Sequence, residues 1–179
     1  MIKIKRKPFQ EIAGAIERYD TVLNVACGGC ASVCLGGGQK EARILNEELT
    51  QHFRQQGQNK AFSAHTPERA CNWEYVRELT QVVTGKGAIL VMACSAGAQL
   101  VAESFPDIPV FPAVNTVAIG IDRDIGLYQE TCRACGDCVV GYTGGICPVT
   151  RCAKSLTRRS DLTERASPPS HMRSRRRSL

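Results

Sequence analysis

Residues 88–93 read Ala-Ile-Leu-Val-Met-Ala and are followed directly by Cys94. Such a continuous apolar run is typical of a strand that is buried on both faces of a parallel sheet. A second run, Thr21-Val-Leu-Asn-Val-Ala26, ends directly at Cys27, and further strands are predicted at 60–66 and 109–114. Ligands of parallel α/β sheets bind beyond the carboxyl ends of the strands, so the cysteines that follow these strands mark the expected site.

Helical periodicity fills the intervals between the strands. Apolar residues at helical spacing predict helices over 9–20 and 39–55. A third helix is expected to be capped by Thr66 and to bury Trp73, and a fourth runs from Ser95 to about Ser104. Helices alternating with buried strands indicate an α/β fold, a parallel sheet with helices on both faces of the Rossmann or flavodoxin-like type.

The composition changes twice along the chain. Residues 1–126 form the predicted α/β domain with a cysteine cluster at its sheet edge. Residues 127–156 form a Cys-rich, ferredoxin-like module with too little apolar sequence to fold without a metal. Residues 157–179 are rich in Arg, Ser and Pro and are predicted to be a disordered basic tail.

The net charge of +6 comes mainly from the end of the chain. Residues 155–179 hold seven arginines and only two acidic residues, and so carry +5 of it. The rest is nearly neutral and shows no basic face with aromatic platforms, which argues against nucleic-acid binding. No apolar run reaches the roughly 20 residues of a membrane span, and the N-terminus does not resemble a signal peptide. We therefore expect a cytoplasmic protein.

Ten cysteines in a reducing compartment indicate metal binding rather than disulfides. The first set is Cys27-Gly-Gly-Cys30-Ala-Ser-Val-Cys34, with Cys71 and Cys94 expected at the same sheet edge. These five compete for the four ligand positions of one cluster, and Cys71 and Cys94 could instead be ordinary buried thiols. Gly28 and Gly29 permit a tight turn and could offer N–H groups to cluster sulfurs.

The second set is Cys132-Arg-Ala-Cys135-Gly-Asp-Cys138, followed by Cys147-Pro148 and Cys152. Three cysteines at three-residue steps, with a remote cysteine before proline, are typical of ferredoxin-type sites. The fourth ligand is either Cys147 or Cys152. Two [4Fe–4S] clusters are therefore predicted, with zinc as the alternative because structural zinc also binds Cys-x-x-Cys pairs.

Other features carry less weight. The run Gly36-Gly37-Gly38 before a helix could cradle a phosphate, but it lacks the Walker lysine and is interpreted as a turn that seats the helix. His52 and His65 are interpreted as solvated or hydrogen-bonded side chains rather than metal ligands. No catalytic constellation is evident, and no dinucleotide fingerprint occurs.

The segment from Cys132 to Leu156, with its Thr143-Gly-Gly-Ile-Cys-Pro148 core, resembles the C-terminal domain family of methylenetetrahydrofolate reductases, whose free-standing form is the MetV-type iron–sulfur subunit. The stretches from Cys27 to Glu41 and from Ala93 to Gly97 resemble the other signatures of that family. The resemblance runs from about residue 10 to 156. After Leu156 the family's Asn-Gly-Pro-Cys-Gly-Gly element is replaced by the basic tail, as a shifted reading frame or a truncated gene copy would produce.

The resemblance implies a partner. Proteins of this kind accompany the flavin-bearing catalytic subunit that reduces methylenetetrahydrofolate to methyltetrahydrofolate in one-carbon metabolism. The expected function is an accessory, non-catalytic electron-transfer subunit, served in turn by a further electron-donor protein. A zinc-braced scaffold without redox role is the alternative, and an independent enzyme binding a small molecule near Gly36–Gly38 is the third.

Overall fold

The computed structural model describes residues 1–124, 127–136 and 138–151. The chain divides into two units, Met1–Thr131 and Cys132–Leu179. Described helices include none that is both long and apolar enough to cross a membrane. Cys152 and the predicted tail at 157–179 lie outside the described residues.

A four-stranded parallel sheet is the centre of the first unit. Its strands are β2 (Thr21–Val25), β3 (Ala61–His65), β4 (Ala88–Val91) and β5 (Val110–Pro112), in the order β3-β2-β4-β5. If these four strands are renumbered 1 to 4 in chain order, their order in the sheet is 2-1-3-4, as at the start of a flavodoxin-like sheet. The prediction of an α/β fold with a parallel sheet is confirmed.

The helices follow the predicted alternation. They are α1 (Phe9–Ile16), α2 (Cys30–Val33), α3 (Gln39–Gln55), α4 (Trp73–Arg77), α5 (Thr80–Val83) and α6 (Ser95–Ser104). The long helix α3 buries Ala42, Leu45, Leu49 and Phe53, the stripe expected from its sequence. All four residues of β4 are buried, and since successive side chains point to opposite faces, the sheet is covered on both faces there.

A second, antiparallel sheet was not predicted. It contains β1 (Ile2–Arg6), β6 (Val114–Asp124) and β7 (Leu127–Cys132), in the order β1-β6-β7. Strand β1 pairs antiparallel with β6, with an irregularity between Lys3 and Ile4. Ile4 is buried and contributes to the core of the first unit.

The helix predicted after β3 begins later than expected. Thr66 is not the cap of this helix, because the chain from 66 to 71 is not helical. Asn72 caps α4 instead, and its side chain accepts a hydrogen bond from the Glu74 N–H at 2.9 Å. Trp73 therefore lies in the first turn and is 56% exposed, so its prediction as a core residue was wrong. Val76 and Leu79 are buried as predicted.

The second unit contains a 3-10 turn (Val140–Tyr142) and the short helix α7 (Pro148–Arg151). None of its described residues from 132 to 151 is buried, and Tyr142 is 93% exposed. Glycines at positions 136, 144 and 145 have positive φ angles, which suits tight turns. This unit has no apolar core among its described residues.

Candidate metal centre

Three strand ends bring cysteines to one edge of the parallel sheet. Val25, at the end of β2, pairs with His65 of β3 and with Val91 of β4, so these ends are level. Cys27 follows β2 by two residues, Cys94 follows β4 by three, and Cys71 lies in the connection after β3. The expected convergence at the carboxyl edge is what the topology produces.

The position within that edge is also informative. From β2 the chain crosses to β3 on one side, while β4 and β5 lie on the other side of β2. The gap between β2 and β4 is thus the topological switch point, where open α/β sheets bind their ligands. Cys27 and Cys94 follow the two strands that flank it.

The loop after β2 packs closely on the connection after β3. Cys27 is buried, and its N–H donates to Gly37 O at 3.0 Å. The Gly28 N–H donates to Pro67 O at 3.0 Å, and a Cβ at position 28 would lie 3.1 Å from Glu68 O. An added Cβ would therefore require Glu68 to shift by a few tenths of an ångström. The Gly28 N–H is used within the protein, so the expectation that it would be free for a cluster sulfur was wrong.

A small-residue contact brings Cys71 to the start of α6. A Cβ at Gly97 would lie 2.9 Å from the Ala93 Cβ and 3.1 Å from the Ala70 Cβ. Because Gly97 has no side chain, buried Ala70 can pack directly on α6. Cys71 is the next residue, and Cys94 is the N-cap of the same helix.

Three of the other sheet-edge cysteines affect the pKa of the Cys71 thiol. Partial burial raises the pKa of the Cys71 thiol, and Cys94, Cys27 and, less strongly, Cys30 raise it further, while its own backbone N–H lowers it. The Cys94, Cys27 and Cys30 thiols therefore lie near enough to Cys71 to raise the pKa of its thiol. Together with Cys71, they come from three separate connections of the sheet.

Cys34 is one helical turn after Cys30, and its N–H donates to Cys30 O at 3.1 Å. It is not among the residues that shift Cys71, and its Sγ donates to Ala31 O at 3.6 Å. Together with Cys30 it acts instead on Tyr128 of β7, whose pKa is raised first by burial, then by Glu130, and then by these two thiols. Of the five candidates, Cys34 is the one that does not contribute to the raised pKa of the Cys71 thiol.

The glycine run before α3 is a turn. The N–H groups of Gly36 and Gly37 both donate to Ala31 O at 3.1 Å, and the Gly38 N–H donates to the Glu41 carboxylate at 3.0 Å. Their donors are therefore used within the protein, which agrees with the interpretation as a helix-seating turn rather than a phosphate cradle. His52 is also accounted for, since its ring contacts Phe9 and Phe53.

In the second unit, Cys132, Cys135 and Cys138 are exposed and Cys147 is half-buried. The Ala134 N–H donates to the Cys132 sulfur at 3.3 Å. Thr150, which sequence reasoning missed, donates to the Cys147 sulfur from its hydroxyl at 3.3 Å and from its N–H at 3.4 Å. These bonds lower the pKa of Cys147. The signal was a threonine three residues after Cys147, in the turn that Pro148 begins.

Across residues 1–124, 127–136 and 138–151, no three histidine, cysteine or acidic side chains converge closely enough to hold a single metal ion. The cysteine sulfurs at the sheet edge are neighbours, but they do not form a ready-made tetrahedral site around one ion.

Residues 111–159 match the family described as methylene-tetrahydrofolate reductase C terminal, which confirms the inferred resemblance over that part of the chain. The match includes β6, β7 and the second cysteine set and begins within β5. It leaves the cysteines from 27 to 94 outside. No curated protein and no solved structure is significantly similar to the chain.

Proposed function

We propose that this protein is an accessory electron-transfer subunit that carries two [4Fe–4S] clusters and partners a flavin-dependent methylenetetrahydrofolate reductase. The observation that carries the proposal is the grouping of four cysteines at the switch point of the parallel sheet. The relation to methylenetetrahydrofolate reductase comes from the family match over residues 111–159. The chain would work in the cytoplasm, where its thiols stay reduced.

The donor set at the sheet edge fits an iron–sulfur cluster. Cys27, Cys30, Cys71 and Cys94 supply four thiols, which is the ligand number of a [4Fe–4S] cluster. When bound, such a cluster accepts and donates single electrons. Cys27 is buried and Cys71 is exposed, so the site reaches from the core to the protein surface, as electron exchange with another protein requires. Cys34 is left as the spare thiol.

The cysteine spacing favours a cluster over a zinc brace. A single zinc ion needs all four donors within about 2.3 Å of one point, whereas each thiolate of a cubane binds a different iron and the sulfurs are farther apart. Three cysteines at three-residue steps, with a remote cysteine before proline, are typical of the second case.

The second cluster would be held by Cys132, Cys135 and Cys138 with Cys147 as fourth ligand. No described residue from 132 to 151 is buried, which supports a metal-dependent module because side-chain burial cannot supply its folding energy. The hydrogen bonds from Thr150 favour the thiolate form of Cys147, which is the form that binds metal.

Flavin and folate would bind to the catalytic subunit, and this chain would pass electrons to it from a further donor protein. The absence of a dinucleotide fingerprint from the sequence agrees with that division of labour.

Anaerobic metal analysis tests the proposal. The purified chain should contain about eight irons and eight sulfides, as two [4Fe–4S] clusters require, with visible absorption that bleaches on reduction. Cys94→Ser should remove about half of the iron, while Cys34→Ser, the matched control, should retain all of it. Colourless protein loaded with zinc would contradict the cluster assignment. Iron loss in Cys34→Ser but not in Cys71→Ser would contradict the ligand set.

Partnership needs a separate measurement. The iron-loaded chain should co-purify with a flavin-bearing methylenetetrahydrofolate reductase and reduce its flavin. An iron-loaded chain that neither binds nor reduces that flavoprotein would leave the clusters in place and refute the proposed partner.

A further inference from the structure

A groove runs between the edge strand β3 and helix α3, on the side of the parallel sheet away from β4. Its volume is about 820 Å³, and it is lined by Phe62 and Ala64 of β3 and by Arg43, Glu47, Thr50 and Arg54 of α3, among others. Within the described part of the chain, β3 pairs with β2 alone. One long side of the groove is therefore the open edge of a sheet.

The register shows which backbone groups face the groove. The Ala61 N–H donates to Asp20 O at 2.7 Å, and His65 O accepts from the Ala26 N–H at 2.9 Å, so both residues point toward β2. Backbone polar groups alternate along a strand, which directs those of Phe62 and Ala64 outward. Two N–H and two C=O groups at this edge are available to an added strand.

The charges of the groove indicate what kind of strand would bind. Arg43 and Arg54 lie at its two ends, and neither forms an ion pair within the described residues. They are eleven positions apart on α3, or about 16 Å at the rise of an α-helix. That distance is spanned by about five residues of extended chain, which is also the length of β3. Glu47 lies between them, where a further acidic group would be repelled.

We propose that this groove binds an extended segment of a partner protein, about five residues long and acidic at both ends, as a fifth strand beside β3. The side chains of Phe62 and Ala64 contact the segment on one side, and the two arginines pair with its terminal carboxylates. A second copy of β3 does not fit, because it carries no acidic residue and would bring two further arginines to the interface. The arginine-rich end of this chain has the same charge as the groove.

Hydrogen–deuterium exchange with defined peptides tests the proposal on the full chain. The probe is acetyl-Glu-Val-Thr-Val-Glu-amide at millimolar concentration, and acetyl-Lys-Val-Thr-Val-Lys-amide is the control peptide. At about ten times its Kd the acidic peptide should slow exchange at Phe62 and Ala64 about tenfold, and the basic peptide should not.

Two sets of variants separate backbone pairing from charge. Ala64→Pro removes an outward N–H, which an edge strand tolerates, and should abolish the protection at Phe62, whereas Ala64→Val should keep it. The double variant Arg43→Gln, Arg54→Gln should remove the preference for the acidic peptide, and Lys40→Gln, on the same helix but outside this groove, should retain it.

Several results would overturn the proposal. These are equal protection by both peptides, no protection by either, and slow exchange at Phe62 and Ala64 before any peptide is added. A peptide-free dimer in analytical ultracentrifugation that Ala64→Pro dissociates would assign the edge to a second copy instead.

Discussion

Gly37 packs its backbone against β4, and an alanine there has no free space. The added Cβ would overlap the carbonyl oxygen of Met92 and lie 2.9 Å from the carbonyl carbon of that residue and 3.0 Å from Ile4 Cδ1. Carbon atoms in contact are about 3.5–4.0 Å apart, so the turn would have to move by about 1 Å or more. The obstacle is mainly backbone at the end of a buried strand, which cannot rotate away.

The expected cost of Gly37→Ala follows from these contacts. Overpacking of this kind costs about 1–3 kcal/mol. Movement of the turn also weakens the hydrogen bonds from the Gly37 N–H to Ala31 O and from the Cys27 N–H to Gly37 O, worth about 1 kcal/mol each. We therefore expect a loss of roughly 3–5 kcal/mol in the free energy of unfolding, a large share of the 5–15 kcal/mol typical of a domain.

Urea denaturation followed by far-ultraviolet circular dichroism measures this change, and iron content is measured on the same samples. The matched control is Gly14→Ala in α1, where a Cβ meets nothing within 4 Å. Alanine in place of glycine inside a helix should raise stability there by about 0.5–1 kcal/mol. If Gly37→Ala unfolds within about 1 kcal/mol of the parent protein, the packing argument for the cysteine loop is incorrect.

Three further predictions concern other parts of the chain. Lys60 is buried, and its Nζ donates to Glu17 O and Tyr19 O. Lys60→Met should therefore lower the free energy of unfolding by about 1–3 kcal/mol. An equal loss in the exposed control Lys40→Met would refute this explanation. The pKa of Tyr128 is raised above 10.0 in the folded protein. The stabilisation that this phenol contributes should therefore be complete below pH 10.0 and should fall as the pH rises through the pKa of the folded state. A difference titration at 295 nm between the parent protein and Tyr128→Phe that shows an ordinary phenol pKa would contradict this prediction. Cys135→Ala should remove about half of the iron and make residues 132–151 sensitive to protease, while the unfolding of the first unit stays unchanged. Unchanged iron content and protease resistance would count against a metal-dependent module.

The sequence predicted the parallel sheet because its strands are apolar runs that end at cysteines or turn residues. Burial of β4 on both faces and the apolar stripe of α3 needed no tertiary information. The antiparallel sheet was missed although Ile2-Lys-Ile-Lys5 alternates with the period of a half-buried strand. Such a short signal at the chain start has no turn beside it to identify its partner, which is more than a hundred residues away.

The sequence indicates that the candidate site lies at the sheet edge, but it does not indicate which of the cysteines belong to it. Strand ends explain why Cys27 and Cys94 lie at the same sheet edge. Cys71 is placed there by the contact of Ala70 with Gly97, which no local pattern reveals. The misplaced helix start at Thr66 has the same origin. The loop from 66 to 71 is occupied in tertiary packing, so the helix begins only at Trp73, and its first turn faces solvent.

The spread of the sheet-edge cysteines along the sequence has a consequence for the order in which the protein matures. Cys27 and Cys94 are 67 positions apart and become neighbours only once β2, β3 and β4 have paired. Cys132 and Cys147, by contrast, lie within one short segment that a metal can gather without any sheet. If the chain carries the two clusters of the proposed function, the first would be loaded only onto a folded sheet, whereas the second would be assembled on a nascent chain. Substitutions that slow folding of the sheet should lower the iron content of the first site before they lower that of the second.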